Sequence, residues 1–172
     1  MVLMTKHNQH NLKNPLYLNA NLIYSECLNY LKQEHWRRKI KTGTLSKLRE
    51  DYNLITSILT RMEVIQNLCL EENIPKDKAR NIYHQVLEDY GIRELTSLHR
   101  HIELNDPLID SIALTNLRFQ DALHLLIAKK AGMPVCTHDK KMLGNYSTHG
   151  EKFKFYEKIH KPHELLSNKQ KR

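Results

Sequence analysis

FQDALHLLIAKKAGMPVCTHD, residues 119–139, is the stretch on which the fold turns. From Asp121 to Ala131 the chain is apolar on nearly every side, with Ala122, Leu123, Leu125, Leu126, Ile127 and Ala128. A helix without a polar face belongs in the middle of a domain. Gly132 stops it, because glycine adopts the left-handed conformation that closes helices. Met133 to Thr137 then reads as a short buried strand. A buried helix feeding a buried strand is a unit of an α/β fold, whose parallel sheet carries helices on both faces.

The flanks repeat the alternation. Upstream, Pro15–Asn19 reads as a strand and Leu22–Leu31 as a helix. Ser46 can cap a short helix, since Arg49 and Glu50 follow in good helical company. The β-branched run Leu54–Thr60 reads as a buried strand, and Met62–Leu70 as a helix stopped by Asn73-Ile74-Pro75. Ala79, Ile82, Tyr83, Val86, Leu87 and Tyr90 recur at helical spacing, with Gly91 at the C′ position. Ile92–Leu98 is a further strand. Asp106-Pro107 opens a helix, Asp as N-cap and Pro at its first position, with an apolar face of Leu108, Ile109, Ile112, Ala113 and Leu117. Downstream, Phe153–Ile159 alternates like a last strand, and Pro162–Leu166 is a final helical turn. The sum is an α/β domain over residues 15–166 with a mainly parallel sheet, a polar leader at 1–14 and a basic tail at 167–172.

Composition narrows the class. With 172 residues and about 150 residues per domain as the usual scale, one domain is expected. No apolar run approaches the roughly 18–20 residues that span a bilayer, so no membrane partner is expected. The N-terminus has no apolar core of a secretory signal. Cys27, Cys69 and Cys136 are odd in number and widely spaced, which argues against a disulfide framework and for a reducing cytoplasm. The 27 Lys and Arg against 19 Asp and Glu leave a net charge of +8, which favours polyanionic partners, nucleic acid first. Trp36 among Arg37, Arg38 and Lys39 can stack on an unpaired base, or can anchor a partner or a second copy of the chain. Lys140 and Lys141 form a second basic pair.

In parallel sheets, ligands bind beyond the carboxyl ends of the strands. Four residues sit at such junctions: Asn19 ends the first strand, Glu63 lies in the first turn of the helix after Leu54–Thr60, Asp121 heads the central helix, and Asp139 follows the Met133–Thr137 strand. Singly, each is an ordinary helix cap. Together, ionised carboxylates in one cleft repel unless a cation lies between them, and hard ions such as Mg²⁺ or Mn²⁺ prefer oxygen ligands. Such ions activate water and stabilise the charge that develops on a phosphodiester under attack. A basic rim would attract the nucleic-acid backbone. His124, one turn after Asp121, reads as a packed, hydrogen-bonded histidine. Cys136 and His138 lack the partners of a zinc site. Glu26 is a remote candidate for an extra carboxylate.

These residues resemble the PIN-domain nucleases, over nearly the whole span from Leu16 to Leu166. Asp121-Ala-Leu-His124 resembles the family's Asp-Ala-x-His helix, and Val135-Cys-Thr137-His-Asp139 its hydrophobic-Thr-x-Asp strand end. Ile55 to Glu63 resembles the stretch that carries the family's Glu. Tyr17-Leu18-Asn19-Ala20-Asn21 resembles its opening hydrophobic-Asp-Thr-Asn strand. The resemblance implies a three-layer α/β/α sandwich and an Mg²⁺- or Mn²⁺-dependent endoribonuclease acting on RNA, in the manner of the VapC-like toxins of type II toxin–antitoxin pairs. It implies Glu63, Asp121 and Asp139 as metal-binding carboxylates, Asn19 as the fourth catalytic position, and Asn21 and Thr137 as supports. A homodimer and an antitoxin protein are the implied partners. Asn19 departs from the family's Asp: its carbonyl can reach a metal but brings no charge. A deliberate Asp-to-Asn change would silence a toxic nuclease. A natural variant would be attenuated, and Ala20 in place of the usual Thr or Ser favours that origin. The alternative is a catalytically inactive PIN-like module that binds RNA.

Overall fold

Successive side chains of a strand point to opposite faces of its sheet. In the first strand both sets are apolar: Leu16 and Leu18 enter one core and Tyr17 the other, all fully buried. Leu54 and Ile55, then Cys136 and Val135, divide in the same way. A sheet buried on both faces needs helices on both, and the computed structural model shows that arrangement. It describes residues 13–34, 43–97, 107–149 and 151–167. Trp36, Arg37, Arg38 and Asp106 lie outside the described residues, as do residues 1–12 and 168–172.

The strands are β1 (Asn14–Leu18), β2 (Tyr52–Ser57), β3 (Arg93–Leu95), β4 (Val135–Cys136) and β5 (Ile159–His160). They pair in parallel throughout, in the order β3-β2-β1-β4-β5. The first core is closed by α1 (Ala20–Glu34), α2 (Thr44–Asp51), α3 (Ile58–Leu70) and α4 (Lys76–Tyr90). The second is closed by α5 (Pro107–Ile112), α6 (Phe119–Lys130) and α7 (Lys140–Gly144), while α8 (Pro162–Ser167) packs its leucines at the rim of the first. The molecule is a three-layer α/β/α sandwich. As its all-apolar pattern requires, α6 buries Ala122 and Leu125 to Ala128 completely. Gly91 closes α4 at φ 62°, and Gly132 takes φ 65° after α6.

Several boundaries differ from the sequence expectation. β2 ends at Ser57, so Ile58 to Thr60 are helical and not the end of a strand. The β-branched run hides the change because the would-be capping hydroxyl, Ser57 Oγ, makes no cap bond and instead meets Tyr17 Oη at 2.7 Å. Glu63 therefore lies in the second turn of α3, beyond the free amides of its N-terminus. Ser46 is not a cap: α2 starts at Thr44 with Gly43 in the capping position. α5 ends at Ile112, leaving Ala113 and Leu117 outside it. The strand expected over Phe153–Ile159 shrinks to β5. The backbone of Phe155 and Tyr156 is bonded to side chains and not to a strand: Asn145 Oδ1 accepts from both amides, and Lys129 Nζ donates to the Phe155 carbonyl at 2.7 Å.

Candidate functional site

The strand order changes direction at β1: β2 lies on one side and β4, which follows β3 in the chain after α5 and α6, on the other. Such a switch point opens a crevice at the carboxyl ends of the strands. Register makes the crevice specific. Leu18 pairs with Cys136, and the Asn19 amide donates to the Cys136 carbonyl at 3.1 Å. Asn19 and Thr137, the residues next beyond the two strands, are thereby placed side by side.

A hydrogen-bonded lattice ties these two ends together. Asn19 Oδ1 accepts from the Asn21 backbone amide at 3.2 Å, as an N-cap side chain does at the start of α1. Its Nδ2 donates to Met142 Sδ at 3.1 Å. Asn21 Nδ2 donates to Thr137 Oγ1 at 3.1 Å, and the same hydroxyl accepts the Asp139 amide at 3.0 Å. Asp139 in turn caps α7, its Oδ1 accepting from the amides of Lys141 at 2.7 Å and Met142 at 3.0 Å. Asn19 and Thr137 are buried; Asn21 and Asp139 are half-buried. Asn21 and Thr137 hold the Asp139 loop against the end of β1.

The carboxylates come from separate elements, and Glu63, Asp121 and Asp139 all line one cleft of about 710 Å³ together with Asn19. Burial, followed by the negative charges of Asp139 and Glu63, pushes the Asp121 carboxyl above its ordinary range, while His124 and Arg118 pull it back. That rise in Asp121 is the electrostatic mark of a carboxyl in a partly desolvated space beside like charges. Among the described residues, no three His, Cys, Asp or Glu close to metal-ligand spacing. The side chains gathered there offer oxygens, which suit a hard divalent ion, and a cation would offset the part of the rise in Asp121 that comes from Asp139 and Glu63.

Glu63 is steadied from below. Its Oε2 lies 3.3 Å from Nε2 of His124, which is fully buried, and Nδ1 of that ring lies 2.6 Å from Tyr17 Oη. Burial raises the Tyr17 phenol, so it stays protonated and available as a donor. His124 is the packed, hydrogen-bonded histidine that its place in the sequence suggested. Glu26 does not reach the cleft. It is buried beneath α4, accepting from Tyr90 Oη and from Asn29 Nδ2 at 3.3 Å, and it lines a separate cavity of about 310 Å³ with Gly43 and His138.

The cleft also holds residues that the sequence reading passed over. Gln66, Asn67 and Glu71 extend the face of α3 that carries Glu63, and Arg118 and Gln120 stand beside Asp121. Glu63, Gln66 and Asn67 follow at i, i+3 and i+4 on α3, with Glu71 at its C-cap, a spacing already present in the helix read over Met62–Leu70. Lys140 and Lys141 line the same opening, giving it an acidic floor and a basic edge.

No family model matches the chain, and no curated protein matches it. Among solved structures it is similar to PAE2754 from Pyrobaculum aerophilum, with 17% identity, a TM-score of 0.52, and 99% of this chain and 100% of that one covered. At that identity the likeness is one of fold, and it accompanies the α/β/α architecture described above.

Proposed function

We propose that the chain is a PIN-like endoribonuclease that depends on Mg²⁺ or Mn²⁺, attenuated by Asn19. The observation that carries the reading is the meeting of Glu63, Asp121 and Asp139, from three elements, in one cleft at the switch point of a parallel sheet. These three would hold the ion, with the Asn19 carbonyl as a weaker fourth donor. The ion, when bound, supplies the positive charge that stabilises a phosphodiester under attack. The chain's own residues do the rest. Arg118, Lys140 and Lys141 draw the RNA backbone to the opening. Thr137 and Asn21 fix the Asp139 loop, and His124 with Tyr17 fixes Glu63. The resemblance adds a toxin-like role in the cytoplasm, with an antitoxin protein and a second copy of the chain as partners. Co-purification with neighbouring gene products and size-exclusion chromatography test both.

The deciding experiment is RNA cleavage with Mn²⁺ or Mg²⁺ by the chain as it stands, by Asn19→Asp and by Asp121→Asn. Asn19→Asp should raise the rate and Asp121→Asn should abolish it. A folded Asn19→Asp protein that cleaves no RNA refutes the nuclease reading.

One observation favours a second reading, an inactive module that binds RNA. Both ends of the Asn19 amide are engaged within the fold, Nδ2 with Met142 and Oδ1 with Asn21. This reading expects RNA binding that salt weakens, that EDTA leaves unchanged, and that is never followed by cleavage.

A further inference from the structure

Glu26 is a buried carboxylate that the cleft does not use. It is 7% exposed and lines the cavity of about 310 Å³ whose wall includes His138, the residue before Asp139. Among the described residues it accepts from two neutral donors, Tyr90 Oη and Asn29 Nδ2, and pairs with no Lys or Arg. A carboxylate offers about four acceptor positions, so about two are left over. Buried carboxylates are as a rule paired with a cation. This one is set up to receive a cationic donor from within the cavity.

Gly43 keeps that approach open. A Cβ there would stand 3.4 Å from Glu26 Oε2. The backbone does not demand glycine, because φ −103° and ψ 175° are extended values open to any residue. What the missing side chain provides is an uncovered carboxylate oxygen.

The rest of the wall sorts by chemistry. Leu22 and Leu45 are buried and Leu166 is half-buried, so an apolar lining accompanies the carboxylate. Lys47 and His138 are exposed and bring N–H donors to the mouth. An acidic interior, an apolar lining and a basic mouth are complementary to a small zwitterion with an apolar stem. A polycation would meet Lys47, and a simple anion would meet Glu26. The volume lies at the small end of the range for ligand sites, which suits a molecule of a few heavy atoms and not a nucleotide.

We infer that this cavity binds a free apolar α-amino acid, with its ammonium on Glu26, its side chain on the three leucines and its carboxylate on Lys47 and His138. The site is independent of the RNA-directed reading, since none of these residues lines the cleft.

The test is isothermal titration calorimetry on the full chain with EDTA throughout, so that no metal occupies the cleft. The probes are L-leucine, isoamylamine, which lacks only its carboxylate, and isocaproate, which lacks only its ammonium. Leucine should bind at one saturable site. Isoamylamine should bind about tenfold more weakly, the loss of one charge-assisted contact, and isocaproate should not bind. Glu26→Gln should weaken leucine by at least about tenfold. Gly43→Ala, whose methyl covers Oε2 while the extended backbone is kept, should abolish binding in a protein that circular dichroism shows to be folded. Lys47→Met should bring leucine down to the level of isoamylamine and leave isoamylamine unchanged. The site is overturned if the parent does not bind leucine, if isocaproate binds as tightly as leucine, or if leucine binding survives both Glu26→Gln and Gly43→Ala. An amine that gains affinity in Lys47→Met overturns it too, because Lys47 would then be the partner of Glu26.

Discussion

Asp121 is the residue at which stability and function pull apart. Its carboxyl is raised above the ordinary 3.8 by burial and by two neighbouring carboxylates. A group with a raised folded-state pKa stabilises the fold below its unfolded value, and that contribution is lost as pH rises through the folded value. Above the ordinary aspartate range the Asp121 carboxyl is therefore a burden on the fold. Asp121→Asn should melt higher than the parent at neutral pH, by on the order of 2–4 °C per kcal/mol relieved. The gap should close as pH falls toward the ordinary aspartate value. Thermal unfolding across that window checks it, and an Asn variant that is less stable at neutral pH refutes the electrostatic account. Thr137 works in the opposite sense. Thr137→Val keeps the shape but strips the acceptor from the Asp139 amide and from Asn21 Nδ2, and should cost about 1–3 kcal/mol in chemical denaturation. Asn19, Asp121 and Asp139 were legible as junction residues because caps and strand ends have short-range signals. Glu63 was legible in identity but not in position: the hydroxyl that would have announced its helix is bonded to Tyr17, remote in the chain.

At the level of elements, α6 is the keel of the second core and α4 closes the first. Leu126→Ala, at a fully buried α6 position, should cost about 2–5 kcal/mol, measured by equilibrium denaturation. Gly91→Ala tests the other end of the range. A Cβ there would meet nothing within 4 Å, so only the left-handed backbone objects, and the cost should be about 1–2 kcal/mol. α4 could be read from its helical periodicity and α6 from its unbroken apolar run, both signals carried within the element itself. The strand expected at Phe153–Ile159 could not: its alternation comes from Phe155 and Ile159 turning inward, whereas its backbone bonds are taken by Asn145 and Lys129, which no local pattern reveals.

For the whole molecule, the prediction concerns the cleft as a unit. A ligand that binds only the folded state stabilises it by mass action, reaching about 2.7 kcal/mol at one hundred times its Kd. Mn²⁺ should therefore raise the unfolding midpoint of the parent, raise it further in Asn19→Asp, and lose the effect in Asp121→Asn. Calorimetry with EDTA as the reference checks this without any substrate, and a midpoint that Mn²⁺ shifts equally in all three proteins, or in none, counts against a cation site. The amino-acid sequence alone determined the α/β alternation, the two-sided burial of the sheet, the basic balance and the identity of the acidic residues, because periodicity, caps and net charge are properties of neighbours in the chain. Only the tertiary structure decided that β4 lies beside β1, that α3 turns its amides toward the same opening as Asp139, and that Glu26 faces elsewhere. Those facts depend on strand order and register, which are set by the joint packing of two cores and leave no trace in any short stretch of residues.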